Sequence, residues 1–439
     1  MSTGSAPAKA APKKKRSSGL FQGLQKVGRS LQLPIAVLPA AGLLLRLGQP
    51  DVFGADGLGW DNVAKVFAGA GGALLNGSFG LPLLFCIGVA IGFAKKSDGS
   101  TALAAVTGFL TYYAVIHSFP ANDPGKGAAL QGAESFGGGA WVDANGAFLQ
   151  GATYENPGVL GGIVLGLLSA VLWQRFHRTK LVDWLGFFNG RRLVPMITAV
   201  VGTALGVLVV LGWEPVGNVI TDFGEWMTGL GSGGAAMFGL INRALIPIGM
   251  HQFVNAVAWF QIGSFTDSAG QVVHGDLPRF YAGDPTAGMF MTGFYPIMMF
   301  GLPAAALAIA HSARPERRKA VFGMMISLAL TSFVTGVTEP IEFSFMFIAP
   351  VLFALHAVLT AVSMGVTWGL GVHDGFTFSA GLIDYLLAWN KATDPWKIIP
   401  IGLVFAAIYY VVFRFAITKF NLLTPGREPE EEVEDITKD

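Results

Sequence analysis

Long apolar stretches separated by short polar connections dominate the chain, at 33–45, 80–94, 101–116, 158–173, 193–213, 235–263, 287–310, 321–365, near 366–388 and 398–413. A helix needs roughly 20 apolar residues to cross the hydrocarbon core of a bilayer, and a segment that enters and returns needs fewer. Several stretches fall short of that length and several are broken by Pro or Gly. The pattern therefore predicts an all-α polytopic membrane protein of about ten transmembrane or re-entrant helical elements.

Composition supports this and argues against a large soluble domain. Of 439 residues, 52% are hydrophobic and 13% charged, where soluble domains carry roughly 25% charged residues. The 59 glycines suit helices that approach closely and backbone that unwinds around a ligand. A net charge of +1 decides little, but placement of charge decides more. The block Lys13, Lys14, Lys15, Arg16 has no apolar core directly after it and reads as a retained cytoplasmic tail rather than a secretory signal. Basic residues gather at Lys95 and Lys96, at Arg175, Arg178, Lys180, Arg191 and Arg192, and in ARPERRK (313–319). The bias of Lys and Arg toward cytoplasmic loops places these inside. Other connections are acidic, with Asp51, Asp56 and Asp61, then Asp123, Glu134, Asp143 and Glu155. The alternation fails over 214–284, so the 235–263 stretch, which holds Pro247 and Gly249, is expected to enter and return. RFHRTKLVDWLGFFNGRR (175–192) mixes basic and aromatic residues and predicts an interfacial amphipathic helix rather than a nucleic-acid site. EPEEEVEDITKD at the end reads as a solvated acidic tail.

The lone Cys86 excludes a disulfide within the chain and reads as a small buried hydrophobe. There is no Cys/His spacing for a metal, no Walker loop and no Ser-His-Asp signature, and the adjacent His373 and Asp374 do not make a metal site alone. No metal, cofactor or nucleic acid is expected.

The chemistry sits where polar residues are expensive. TGVTEPIEF (335–343) carries Glu339 and Glu342, the only formal charges between Val321 and Gly365. An ionisable side chain at the bilayer centre costs about 2.5–3.5 kcal/mol on insertion scales, so two demand a reason. Pro340 disfavours helix at Glu339, and Gly336 loosens the chain further, so the stretch is expected to be a non-helical break facing a cavity. Free backbone groups, Thr338 and the carboxylates suit a sugar, whose hydroxyls both donate and accept. The alternative is a structural loop capped by its glutamates. Glu339 is read as a ligand, and Glu342 as structural, bracing backbone amides. A second cluster, NRALIPIGMHQFVNAVAWF (242–260), places His251, Asn255 and Trp259 at intervals of four, on one helical face, with Arg243 the sole formal charge between Ala235 and Gly263. Imidazole, amide and indole suit a ring with an apolar face and polar edges. A satisfied core histidine or a proton relay remain alternatives.

These residues carry a resemblance. TGVTEPIEFSFMFIAPVLFALHA, NRALIPIGMHQFVNAVAWF, LPIAVLPAAGLLLRLG and GFTFSAGLIDYLL resemble the membrane domain, enzyme IIC, of the glucose superfamily in the bacterial phosphoenolpyruvate-dependent sugar phosphotransferase system. The likeness runs over about residues 20–425. GDLPRFYAGDPTAGMFMTGFYPIMMFGLPAAALAIA (275–310) is most similar to the N-acetylglucosamine branch, the glucose branch carrying a lysine where Met298 stands here. The resemblance implies a homodimer in the bacterial cytoplasmic membrane. Its parts would be a tail (1–30), a scaffold and dimerisation part (31–225), a sugar-binding transport part (226–420) and an acidic cytoplasmic tail (421–439). It implies that Glu339 and His251 work at the hydroxyls, including the one phosphorylated, and that Arg243 assists, with Thr338, Gln252, Asn255 and Phe294 as further substrate contacts. Many relatives continue into a IIB domain whose phosphocysteine donates the phosphate. Here a separate phosphorylated IIB protein is expected to dock on the cytoplasmic face. The expected function is inward translocation of N-acetylglucosamine coupled to 6-phosphorylation. Alternatives are a glucose-specific IIC, an ion-coupled sugar transporter without phosphorylation, and a sensor on the same fold.

Overall fold

The structure, a computed structural model, describes residues 26–27, 30–75, 79–118, 134–136, 139–142, 157–266 and 272–427. The basic block Lys13–Arg16, the acids Asp123, Asp143 and Glu155, and the acidic stretch from 428 onward lie outside the described residues.

After a single turn at Gln32–Ile35, the first half contributes α1 (Leu38–Leu47), α2 (Asp61–Leu75), α3 (Gly80–Phe93), α4 (Gly99–His117), α5 (Val159–Phe176) and the long α6 (Leu193–Gly229). The second half adds α7 (Ser232–Ala244), α8 (His251–Phe260), α9 (Asp276–Tyr281), α10 (Leu302–Ser312), α11 (Pro315–Thr335), α12 (Glu339–Met346), α13 (Pro350–Gly369), α14 (Leu382–Ala388) and α15 (Ile398–Lys419). Two small antiparallel hairpins, β1 (Glu134–Phe136) with β2 (Gly139–Val142) and β3 (Ser264–Thr266) with β4 (Val272–His274), are the strands among the described residues.

Among the described residues six helices are long and apolar enough to cross a membrane, or seven if the bent pair α2 and α3 makes one span. Ten spanning or re-entrant elements were expected. That number included re-entrant pieces: besides the spans there are shorter apolar helices at Leu38–Leu47 and Pro296–Ser312, and some apolar runs are cut into several helices. The 235–263 run becomes α7 and α8, joined by a 3₁₀ turn at Ile246–Ile248. The 321–365 run becomes α11, α12 and α13.

Two sequence features explain the close packing of the first half. Asp98 caps α4, accepting from the Ser100 amide at 2.9 Å while Thr101 answers its own amide at 3.2 Å. On α5, Gly162 lies so near α3 that a Cβ there would stand 2.2 Å from the Pro82 carbonyl oxygen. The helices therefore meet backbone to backbone, as small residues permit in membranes. One apolar cluster runs through both halves of the chain, joining Phe85 and Ile163 to Phe238 and Phe290. A second cluster, with Ile309, Phe345 and Phe413, packs α10, α12 and α15 together.

The amphipathic helix expected over 175–192 does not form. Beyond the end of α5 the segment folds into 3₁₀ turns at Asp183–Phe188 and Gly190–Arg192. Asn189 is the reason: its Oδ1 accepts from the Leu181 amide at 2.6 Å, and Gly190 follows with φ +62°. The chain is turned back rather than continued. Trp184 and Phe187 are nonetheless exposed, and Arg192 lies 4.6 Å over the Phe187 ring. Arg191 pairs with Asp98 at 2.6 Å, so this basic loop and the Lys95–Lys96 turn sit together, at one end of the bundle.

Candidate functional site

The charged break begins where α11 ends. Gly336 adopts φ +74°, a region that L residues avoid, and its amide returns to the Ser332 carbonyl at 2.8 Å. A Cβ at Gly336 would also stand 2.6 Å from Ser379 Oγ. Only residues 336–338 are non-helical. The longer break expected over TGVTEPIEF is therefore corrected: α12 starts at Glu339, with Pro340 in its first turn. A proline there loses no helical hydrogen bond, and its fixed φ suits the helix. Both glutamates thus occupy the N-terminal turn of a helix, where its dipole favours negative charge.

Across from this break, α8 carries His251, Gln252, Asn255 and Trp259. Asn242, at the end of α7, donates to Asn255 Oδ1 at 2.5 Å, and Asn255 donates onward to Gln252 Oε1 at 3.2 Å. Amides from two helices are locked into one row. Trp259 spends its indole N–H on the Phe290 carbonyl at 3.2 Å, so what it offers the site is its ring.

A third element closes the site. The loop 376–379 is held by Asp384 in the first turn of α14, whose carboxylate accepts from the Thr377 amide (2.8 Å), the Thr377 hydroxyl (2.7 Å) and the Ser379 amide (3.3 Å). Ser379 in turn donates to the Gly336 carbonyl at 2.9 Å, tying this loop to the charged break.

Between these elements lies a cavity of about 270 Å³, near the lower end of the range for small-molecule sites and suited to one sugar ring rather than a chain. All seven residues expected at the site, Arg243, His251, Gln252, Asn255, Phe294, Thr338 and Glu339, line it. Glu339 faces His251 with Oε1 3.8 Å from Nε2, too far for a direct hydrogen bond. A hydroxyl set beside the pair, within hydrogen-bond reach of each, would bridge them. His251 Nδ1 is buried without a partner.

Glu342 corrects another expectation. It braces no backbone amide; its Oε1 accepts from Arg243 Nη1 at 2.6 Å and from His356 Nε2 at 3.0 Å. Arg243 also stacks over Phe294 at 4.8 Å. Arg243 is 3% exposed and Glu342 wholly buried. Both still line the cavity. The arginine is therefore a cavity residue whose charge is compensated within the protein.

With this geometry in hand, the comparison with known proteins is decisive. A model of the family described as "Phosphotransferase system, EIIC" matches residues 28–361. The chain belongs to the phosphotransferase-system EIIC family. It is an integral membrane protein of that system.

This EIIC chain is 74% identical to the "PTS system N-acetylglucosamine-specific EIIC component" of Streptomyces coelicolor over 429 residues, covering 98% of each. It is 47% identical to the "PTS system N-acetylglucosamine-specific EIICBA component" of Escherichia coli, covering 93% of this chain and 57% of that one. It is 43% identical to a glucose-specific EIICBA component of Staphylococcus carnosus, covering 94% of this chain and 61% of that one.

The EIIC cavity residues that sequence reasoning left unassigned include Asn242, Phe376, Phe378 and Ser379. Asn242 adjoins Arg243 and could have been read as its neighbour on the α7 terminus. Phe376 to Ser379 lie in GFTFSAGLIDYLL, a motif visible in the sequence whose one charge, Asp384, anchors the loop and does not line the cavity. Among the described residues, no group of His, Cys, Asp and Glu could hold a metal ion.

Proposed function

We propose that this chain takes N-acetylglucosamine into the 270 Å³ cavity and carries it inward for 6-phosphorylation by a phosphorylated IIB protein. The observation that carries the sugar assignment is the 74% identity over 98% of both chains to a protein named for that sugar and named as an EIIC component alone. The other relatives named for N-acetylglucosamine are 45–47% identical and those named for glucose 42–43%. Met298, in the cavity wall, fits the same branch.

In this reading the aromatic faces of Trp259 and Phe376, packed edge to face at 5.1 Å, take the apolar side of the ring. The amide row and Thr338 take hydroxyls and the acetamide. Glu339 and His251, 3.8 Å apart, together hold the hydroxyl to be phosphorylated, its oxygen set beside the pair within hydrogen-bond reach of both. The hydroxyl oxygen attacks phosphorus, the bond from phosphorus to the donor sulfur breaks, and the hydroxyl proton passes to the carboxylate or the imidazole. Translocation is assigned to the part 226–420, which supplies the cavity wall except for Ala36. The scaffold part, 31–225, is assigned the contact in a homodimer.

The test uses inverted or reconstituted vesicles holding the full chain, with radiolabelled N-acetylglucosamine. Sugar recovered as its 6-phosphate only when phospho-IIB is present is the expected result. Accumulation of unmodified sugar driven by an ion gradient would establish the ion-coupled alternative, and binding without flux the sensor. Preference for glucose over N-acetylglucosamine would overturn the sugar assignment alone.

A further inference from the structure

Behind the cavity wall lies a chain of polar groups that the proposed chemistry does not use. His356 sits on α13, wholly buried, and its Nε2 reaches Glu342 Oε1 at 3.0 Å. Its Nδ1 lies 2.8 Å from Tyr409 Oη on α15, a residue also wholly buried. A carboxylate only accepts, so Nε2 carries a proton, and in the neutral ring Nδ1 then accepts from the tyrosine hydroxyl. The His356 carbonyl receives the Thr360 hydroxyl at 2.9 Å, fixing the backbone beneath the ring. The order is Tyr409, His356, Glu342, Arg243, running from the apolar interior of the transport half to the cavity wall.

The end of this chain is unfinished. Glu342 Oε2 and Arg243 Nε are both buried and have no hydrogen-bond partner among the described residues, although both residues line the cavity. An acceptor and a donor left bare in a buried site are costly unless something visits them. A sugar hydroxyl can do both at once, giving to one and receiving from the other.

Resting on the reading of this cavity as the sugar site, we propose that His356 and Tyr409 are positioning residues for substrate recognition: they fix the Glu342 carboxylate, and through it the Arg243 guanidinium, as a donor–acceptor pair for one sugar hydroxyl. Neither touches the sugar. Without them Glu342 keeps its charge but is free to turn, and the pair loses its fixed geometry.

The experiment measures the affinity of the purified full chain for N-acetylglucosamine and a series of its monodeoxy analogues, with thermal unfolding of each variant alongside. Tyr409→Phe keeps the ring that packs on Phe413 and removes only the hydroxyl. It is expected to weaken sugar binding by about three- to tenfold, the scale of one hydrogen bond between neutral groups. In wild type, one analogue should be penalised through this pair by about tenfold; in Tyr409→Phe that penalty shrinks while those of the other analogues stay. His356→Gln places an amide nitrogen near the position of Nε2 and should recover most of the affinity that His356→Leu loses. Variants that melt earlier yet bind every analogue with wild-type ranking would overturn the proposal, as would His356→Gln behaving like His356→Leu. Asn255→Ala and Glu339→Gln separate this from the underlying reading. If they too leave binding untouched, the cavity is not the sugar site and both ideas fall; if they weaken it while Tyr409→Phe does not, only the positioning role falls.

Discussion

Replacing Glu339 by Gln keeps its size and removes its charge. Its side chain is 29% exposed and makes no ion pair tighter than the 3.8 Å approach to His251, so the fold should not depend on it. Phosphorylation should fall by about 100-fold or more, the scale of lost general-base assistance, with the melting temperature within a degree or two of wild type in detergent. Glu342→Gln should do the reverse in kind. It strips a wholly buried carboxylate from Arg243 and His356, and orphaning a buried charge costs about 3–5 kcal/mol. A sharp loss of folded protein on size-exclusion chromatography is expected, with weakened sugar binding in whatever folds, and a normal yield of folded protein would contradict it. At this scale the sequence was most readable where chemistry contrasts with its surroundings. A charge in an apolar run stands out, so Glu339, Glu342, Arg243 and His251 could be named early. Phe376 and Ser379 could not, because one of 34 phenylalanines becomes a site residue only through a loop that Asp384 folds onto the cavity. His356 was visible as an ionisable residue, but its partner Tyr409 lies 53 positions away and only packing joins them.

Helices and loops were legible to the extent that their breaks were. Pro340 and Gly336 marked an interruption correctly, yet the extent was overdrawn, since proline opens a helix as readily as it ends one. The 175–192 segment shows the other failure: amphipathic composition is shared by a helix and by turns that Asn189 and Gly190 impose. Contact between α3 and α5 yields a sharper expectation. Gly162→Leu must push a side chain through the Pro82 carbonyl, so the helices separate; a fall of several degrees in melting temperature should follow, with sugar affinity reduced only in proportion to unfolding. The loop between α1 and α2 offers a pH-dependent expectation. Arg46 bonds Asp51 through two nitrogens and holds its carboxyl below the ordinary value of 3.8. A carboxyl lowered in the folded state contributes stability that is complete above its unfolded pKa and is lost as pH falls through the folded one. The stability difference between wild type and Asp51→Asn should therefore be level near neutrality and close below about pH 4, read by thermal unfolding across that range.

For the whole molecule, apolar runs outnumber spanning helices because membrane-depth backbone need not be continuous helix. α7, α8 and α12 are short pieces that meet around a cavity, which is where broken helices are tolerated. The division at residue 225 that the family implies also does not separate two independent cores, since one apolar cluster holds Phe85 and Phe290 together. α1 makes the link most directly. Ala36 just ahead of it lines the cavity, a Cβ on Gly42 would stand 2.1 Å from that of Thr377, and Arg46 donates to the Leu387 carbonyl on α14. A gene cut between Phe223 and Trp226 should for this reason yield two polypeptides of which neither retains sugar alone. Co-expressed, they should restore binding by mutual complementation, and they should stop doing so when the amino-terminal piece begins after Asp51.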